Sequence, residues 1–192
     1  MRKSCDDVKN IYILLTKTPS IPSRIVGLFT GAVYTHSSIA FDNAPSVFYS
    51  FSRLNEHFPI PGGLVEESLN TGFLGSHKES HCKLICLEVT DKIAEEAQRR
   101  VMCMMKNRTL FRYSLLGCVA CSLGIAHKRR RYYFCSQFVG EILEKSGAVC
   151  LSKSASLLIP DDFMLIPHIK SLFCGTAGEL SEILMTKNYA FS

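Results

Sequence analysis

The stretch YYFCSQFVGEIL, Tyr132 to Leu143, decides how the chain is read. A β-favouring aromatic run ends at Phe134, and an amphipathic helix opens on Cys135. Phe138, Ile142 and Leu143 form the apolar side of that helix. A cysteine at this junction is either a buried core thiol or a nucleophile. Thiols ionise near about pH 8.5, and a helix N-terminus or a neighbouring imidazolium lowers that value. Tyr132, Tyr133 and Phe134 would pack the approach and limit water.

A nucleophilic cysteine needs a base. Six histidines compete: His36, His57, His77, His81, His127 and His168. His57, His77 and His81 lie in or beside a polar loop, His127 belongs to a basic run, and His168 lies in a Pro-flanked connection. His36 stands at the mouth of a strand in YTHSSIAFD, where an imidazole is fixed and still reachable. A third polar group orients such a ring. The strand after His36 returns beside it, so Ser50 or Ser52 can accept or relay a hydrogen bond. Glu66 and Glu67, in GGLVEES, are stronger acceptors if that segment folds back.

Outward from these motifs, IYILLTK (Ile11 to Lys17) reads as a first strand. A short helix with Pro22 in its first turn carries Ile25, Val26 and Phe29 on one face and stops at Gly31. SSIAFD and VFYSFSR form a hairpin around the turn DNAP. Residues 54 to 80 read as a long, functional loop with one short strand at LVEES. HCKLICLEV is a strand. A helix follows from Asp91 to Asn107, with Ile93, Ala97, Val101 and Met104 or Met105 on its buried face. YSLLGCVACSLGI is an apolar, small-residue segment that reads as a buried helix or a helix plus turn. The helix opened by Cys135 runs to about Lys145 and stops at Gly147. LLIPDDF is a turn with a helical start, and HIKSLFCG is the last strand. The order predicts one α+β domain over residues 1–192.

The composition bounds the function. With 192 residues, 47% hydrophobic and 20% charged, the chain is long and apolar enough for a single sizeable core. No apolar run reaches the roughly 18 residues of a membrane span. MRKSCDDVKN lacks an apolar h-region, which predicts no signal peptide and a cytoplasmic location. Nine cysteines, an odd number, read as reduced thiols. A net charge of +5 without a reading motif argues against nucleic acid.

Taken together, PSIPSRIVGLFTG, YTHSSIAFD, VFYSFSR and the much later YYFCSQFVGEIL resemble the circularly permuted papain-fold hydrolases. More narrowly they are similar to the YiiX-like branch of the NlpC-type superfamily, with LLIPDDFMLIPHIKSLFCG as its closing turn and strand. The resemblance spans most of the chain. It implies an antiparallel sheet or small barrel packed against helices, in a bacterial-type protein. It implies Cys135 as nucleophile and His36 as general base. The third polar position falls in the strand after the histidine, often as Glu, and Ser50 is its nearest counterpart. Tyr34, Tyr133 and Gln137 are the implied wall or oxyanion contributors. The implied reaction is hydrolysis of an amide or ester bond in a peptide, cell-wall-type peptide or acyl lipid. No metal or organic cofactor is implied.

Other readings compete. Cys82 and Cys86 beside His81, and Cys118 with Cys121, have metal-like spacings in apolar contexts that fit structural thiols better. HKRRR, His127 to Arg131, is either a solvated turn or a cationic lure for anionic substrates near Cys135. Ser50 in place of a carboxylate leaves room for a non-catalytic binding module. An acyltransferase acting on lipids is a third class.

Overall fold

IYILL carries no polar gap because it is buried on both sides. The computed structural model describes residues 8–17, 31–42, 45–53 and 62–186. Within them, β1 (Val8–Thr16) sends Ile11, Ile13 and Leu15 into one hydrophobic cluster and Tyr12 and Leu14 into another. Alternation along a strand demands that partition. A strand sandwiched this way reads as a continuous apolar run.

The other elements are β2 (His36–Ala40), β3 (Phe48–Arg53), β4 (Gly62–Glu67), α1 (Gly72–Ser76), β5 (His81–Thr90) and α2 (Asp91–Lys106). They continue with β6 (Arg112–Tyr113), α3 (Leu115–Ser122), β7 (Tyr132–Tyr133), α4 (Cys135–Ser146), β8 (Lys170–Thr176) and α5 (Ala177–Thr186). Six strands form one antiparallel sheet in the order β4-β3-β2-β1-β5-β8. The chain is thus α+β. β6 and β7 pair in parallel as a separate short ribbon.

One sheet face is covered by α2 and α4. Ala97, Val101, Phe138, Val139, Ile142 and Leu143 pack there against Ile39, Phe51, Leu64 and Ile85. Burying each such aliphatic or aromatic side chain contributes about 1.5–3 kcal/mol. The opposite face is covered by Leu74 of α1 and by Ala177, Leu180 and Leu184 of α5. α5 extends the chain beyond the strand expected to be last.

Two glycines explain how α4 fits. Gly147 ends it in the left-handed region, at φ +83°, and the Ala148 N–H donates to the Leu143 carbonyl at 2.9 Å. Gly140 lies under Leu158, where a Cβ would collide with the leucine side chain.

Some expectations change. The Pro22 helix lies outside the described residues, as do 43–44 of the DNAP turn and 54–61 of the long loop. The rest of that loop contains the expected strand, β4, and one element not expected, α1. The last strand begins at Lys170, after His168 turns the chain at φ +63°. YSLLGCVACSLGI is the helix plus turn rather than a wholly buried helix, with α3 ending at Ser122 and a turn following. α3 buries Gly117, Cys118 and Cys121 but leaves Leu116 66% exposed, and Leu123 just after it is 58% exposed.

Candidate active site

Cys135 is the first residue of α4. Phe134 before it is extended, at φ −111° and ψ 169°, and no side chain caps the helix. The first-turn N–H groups therefore have no competing side-chain acceptor, and the dipole favours negative charge there. The thiol meets the backbone N–H groups of Ser37 and Ser136. α4 lies across β2 and β3, which brings its start to the start of β2.

His36 opens β2. The Thr35 N–H donates to the Thr16 carbonyl at 3.0 Å, so the ladder with β1 holds the backbone on both sides of the imidazole. The ring is a hydrogen-bond neighbour of the Cys135 thiol. Its Nε2 lies 3.0 Å from both carboxylate oxygens of Glu67. With Nε2 committed to Glu67, Nδ1 is the nitrogen left for the thiol.

The electrostatics follow from this chain of contacts. Burial alone would depress the imidazole, but the charge of Glu67 and the hydrogen bonds to Cys135 and Glu67 hold it well above 6.5. Burial alone would raise the thiol. The His36 hydrogen bond and charge, with the Ser37 and Ser136 N–H groups, bring it below 9.0 instead. Both shifts favour a thiolate–imidazolium pair. Elsewhere burial pushes Cys82 and Cys118 up to about 12 and Cys121 up to about 11. All eight cysteines among the described residues are free thiols.

The carboxylate at the imidazole is that of Glu67. Ser50, the nearest counterpart by resemblance, is fully buried and donates its hydroxyl to the Ser37 carbonyl at 2.7 Å. It supports the strand that presents Ser37, and its proton is spent there. The physical reason is reach: a serine ends one bond past Cβ, whereas Glu67 extends across from β4.

The three expected wall residues are turned to other partners. The Tyr34 hydroxyl lies 3.9 Å from Cys174 Sγ, and burial and that thiol push it up to about 12. Gln137 is buried with its Nε2 3.5 Å from Glu141 Oε1, along the helix rather than across its mouth. Tyr133 packs its ring on Phe51, centroids 5.1 Å apart, and lines a pocket of about 220 Å³ with Arg100, Met104, Phe138 and Ile142. A larger cleft of about 980 Å³ lies between 148–153 and 165–170, lined by none of Cys135, His36 and Glu67.

Asp161 is a residue the sequence reading passed over. Its carboxylate accepts from the Val33 N–H at 2.7 Å and the Tyr34 N–H at 2.9 Å. It ties the segment ahead of His36 to the turn Pro160–Leu165. The IPDD motif held the signal, since acidic side chains after a proline are suited to accept backbone N–H groups.

No protein-family model matches the chain, and no curated protein matches it.

Proposed function

We propose that the chain is a cysteine hydrolase of the circularly permuted papain type, in the YiiX-like branch, acting on an amide or ester bond. The observation that carries the reading is one line of contacts: Cys135 at an uncapped helix start, His36 beside it, and Glu67 behind His36. A core thiol needs none of these.

In the proposed reaction His36 holds the proton taken from Cys135. The thiolate attacks the acyl carbon, and the N–H groups at the start of α4 hold the oxyanion. The tetrahedral species collapses as His36 protonates the leaving amine or alcohol. His36 then takes a proton from water, which attacks the thioester and releases the acid and the free thiol. Peptides, other small amides and acyl lipids are the substrate classes. The binding-module reading rested on Ser50 standing where a carboxylate is expected. Glu67 supplies that carboxylate, and what still favours the binding module is burial, since Cys135 is only 7% exposed.

Iodoacetamide labelling near about pH 6.5, read by peptide mass, tests the assignment, because ordinary thiols are about 1% ionised there. Cys135 labels first. Equal total labelling of the unaltered chain and Cys135→Ser, or of the unaltered chain and His36→Ala, sinks it.

A further inference from the structure

The excursion from Arg108 to Arg131 carries Arg108, Arg112, Lys128, Arg129, Arg130 and Arg131, and no Asp or Glu. The net charge of the chain is +5, so this segment accounts for all of it. Backbone pairing gathers the charges. Arg112 lies opposite Tyr132, and its N–H donates to the Arg131 carbonyl at 2.9 Å. The Tyr132 N–H closes a turn on the Arg129 carbonyl at 3.1 Å, with Arg131 at φ +67°. All five arginines are exposed. Among the described residues only Lys128 of the six meets a carboxylate, Glu141 at 3.0 Å.

The same excursion exposes Leu110, Leu115, Leu116, Leu123 and Ile125, which are 36–66% accessible. α3 contains no charged residue. A helix that is apolar all round ordinarily lies inside a core. Here only one side is covered, where Cys118 and Cys121 pack on Phe134. Single exposed leucines are ordinary, but five within one short segment rimmed by arginines form a patch.

We propose that α3 and the arginines flanking it form a docking surface for an anionic phospholipid bilayer. Exposed apolar side chains beside a cationic rim are what an interfacial element presents to headgroups and acyl chains. Charge selects this occupant. A second copy seated on the patch would set arginine against arginine. A nucleic acid would satisfy the arginines and leave the leucines against water. The surface also adjoins the candidate site: the Ser114 N–H ahead of α3 donates to the Tyr133 carbonyl at 2.8 Å, two residues before Cys135. Docking would thus bring the start of α4 to the bilayer. That consequence rests on the hydrolase reading; the docking does not.

Co-sedimentation of the full chain with phosphatidylcholine vesicles, with and without phosphatidylserine, tests the proposal. The expected result is pelleting with the anionic vesicles and release at high salt. Arg112→Glu/Arg130→Glu weakens that binding at least about ten-fold, and Leu116→Ser/Leu123→Ser weakens it as well. Far-UV spectra and melting curves check that the variants fold, and the lipid and salt comparison on the unaltered chain decides without them. Cys135→Ala pellets like the unaltered chain even if hydrolysis is never found. Equal pelleting with both vesicles, or none, overturns the proposal. So does anionic binding indifferent to the leucine substitutions, a dimer by light scattering that they dissolve, or tighter retention of a single-stranded oligonucleotide than of vesicles.

Discussion

Glu67 on β4 grips Nε2 of His36 on β2 with both carboxylate oxygens at 3.0 Å, reaching past the intervening strand β3. The carboxylate fixes the ring and stabilises its cation. Glu67→Gln keeps the shape and removes the charge. It is expected to slow Cys135 labelling and turnover about 10- to 100-fold, less than loss of the base itself. Ser50→Ala leaves labelling near that of the unaltered chain and costs about 1 kcal/mol of stability through the lost Ser37 hydrogen bond. Rates measured side by side decide; equal damage from both substitutions would return the third role to Ser50.

The paired shifts define a pH window. Because the Cys135 thiol lies below 9.0, its thiolate survives as pH falls under that value. Because His36 lies well above 6.5, its cation survives as pH rises past that value. Labelling of Cys135 by an uncharged alkylating agent is therefore expected to persist to lower pH than labelling of the other thiols and to fall on the acid side. The stability that the raised imidazole contributes is full below 6.5 and lost as pH climbs through its folded value. In His36→Ala the thiol keeps its burial and loses its cation, so the labelling inflection moves alkaline. A profile unchanged by His36→Ala contradicts the pairing.

Asp161 acts at a distance from the thiol. Asp161→Ala releases the N–H groups of Val33 and Tyr34, three and two residues ahead of His36. Charge-assisted hydrogen bonds to backbone contribute about 1.5–3 kcal/mol when sheltered and less where solvent reaches them, as it does at Val33. A loss of about 1 kcal/mol is expected, together with slower labelling of Cys135. Asp161→Asn retains one acceptor oxygen and restores part of both. A melting shift without any change in labelling would confine Asp161 to stability.

Glu141 tests the back of α4. Its carboxylate is buried and pairs with Lys128 at 3.0 Å and with Lys145. Burial would raise it, but the two lysines outweigh burial and hold it below 4.5. Its stabilising contribution is therefore complete above 4.5 and fades as pH drops through the lowered folded value. Glu141→Gln is expected to cost about 1–2 kcal/mol at neutral pH, because the abandoned lysines can be hydrated. Urea melts at neutral and acid pH check this: the difference from the unaltered chain should shrink in acid. A constant difference would assign the loss to packing.

What was legible in the chain was local. The run IYILL signals a doubly buried strand, the 3.6-residue spacing of Ala97 and Val101 a helix, and Gly147 a left-handed stop. The positions of Cys135 and His36 were legible too, since each stands at the start of a regular element. The third partner was not. A strand two places away in a sheet has no fixed separation in sequence, so Ser50 and Glu67 could be ranked only once β3 and β4 had paired.

Side-chain direction was equally hidden. Tyr34, Tyr133 and Gln137 occupy the neighbourhood expected of them, yet Cys174, Phe51 and Glu141 claim their ends. Apolar composition misled at α3, where every local cue favours burial and nothing local records that one side lacks a neighbour. By itself the sequence marked the long strands and helices, the stop at Gly147, and Cys135 and His36 as residues at element starts, because hydrophobic periodicity and backbone propensity act over a few residues. Only the tertiary structure decided the carboxylate behind His36 and the open face of α3, because both depend on which distant surfaces meet.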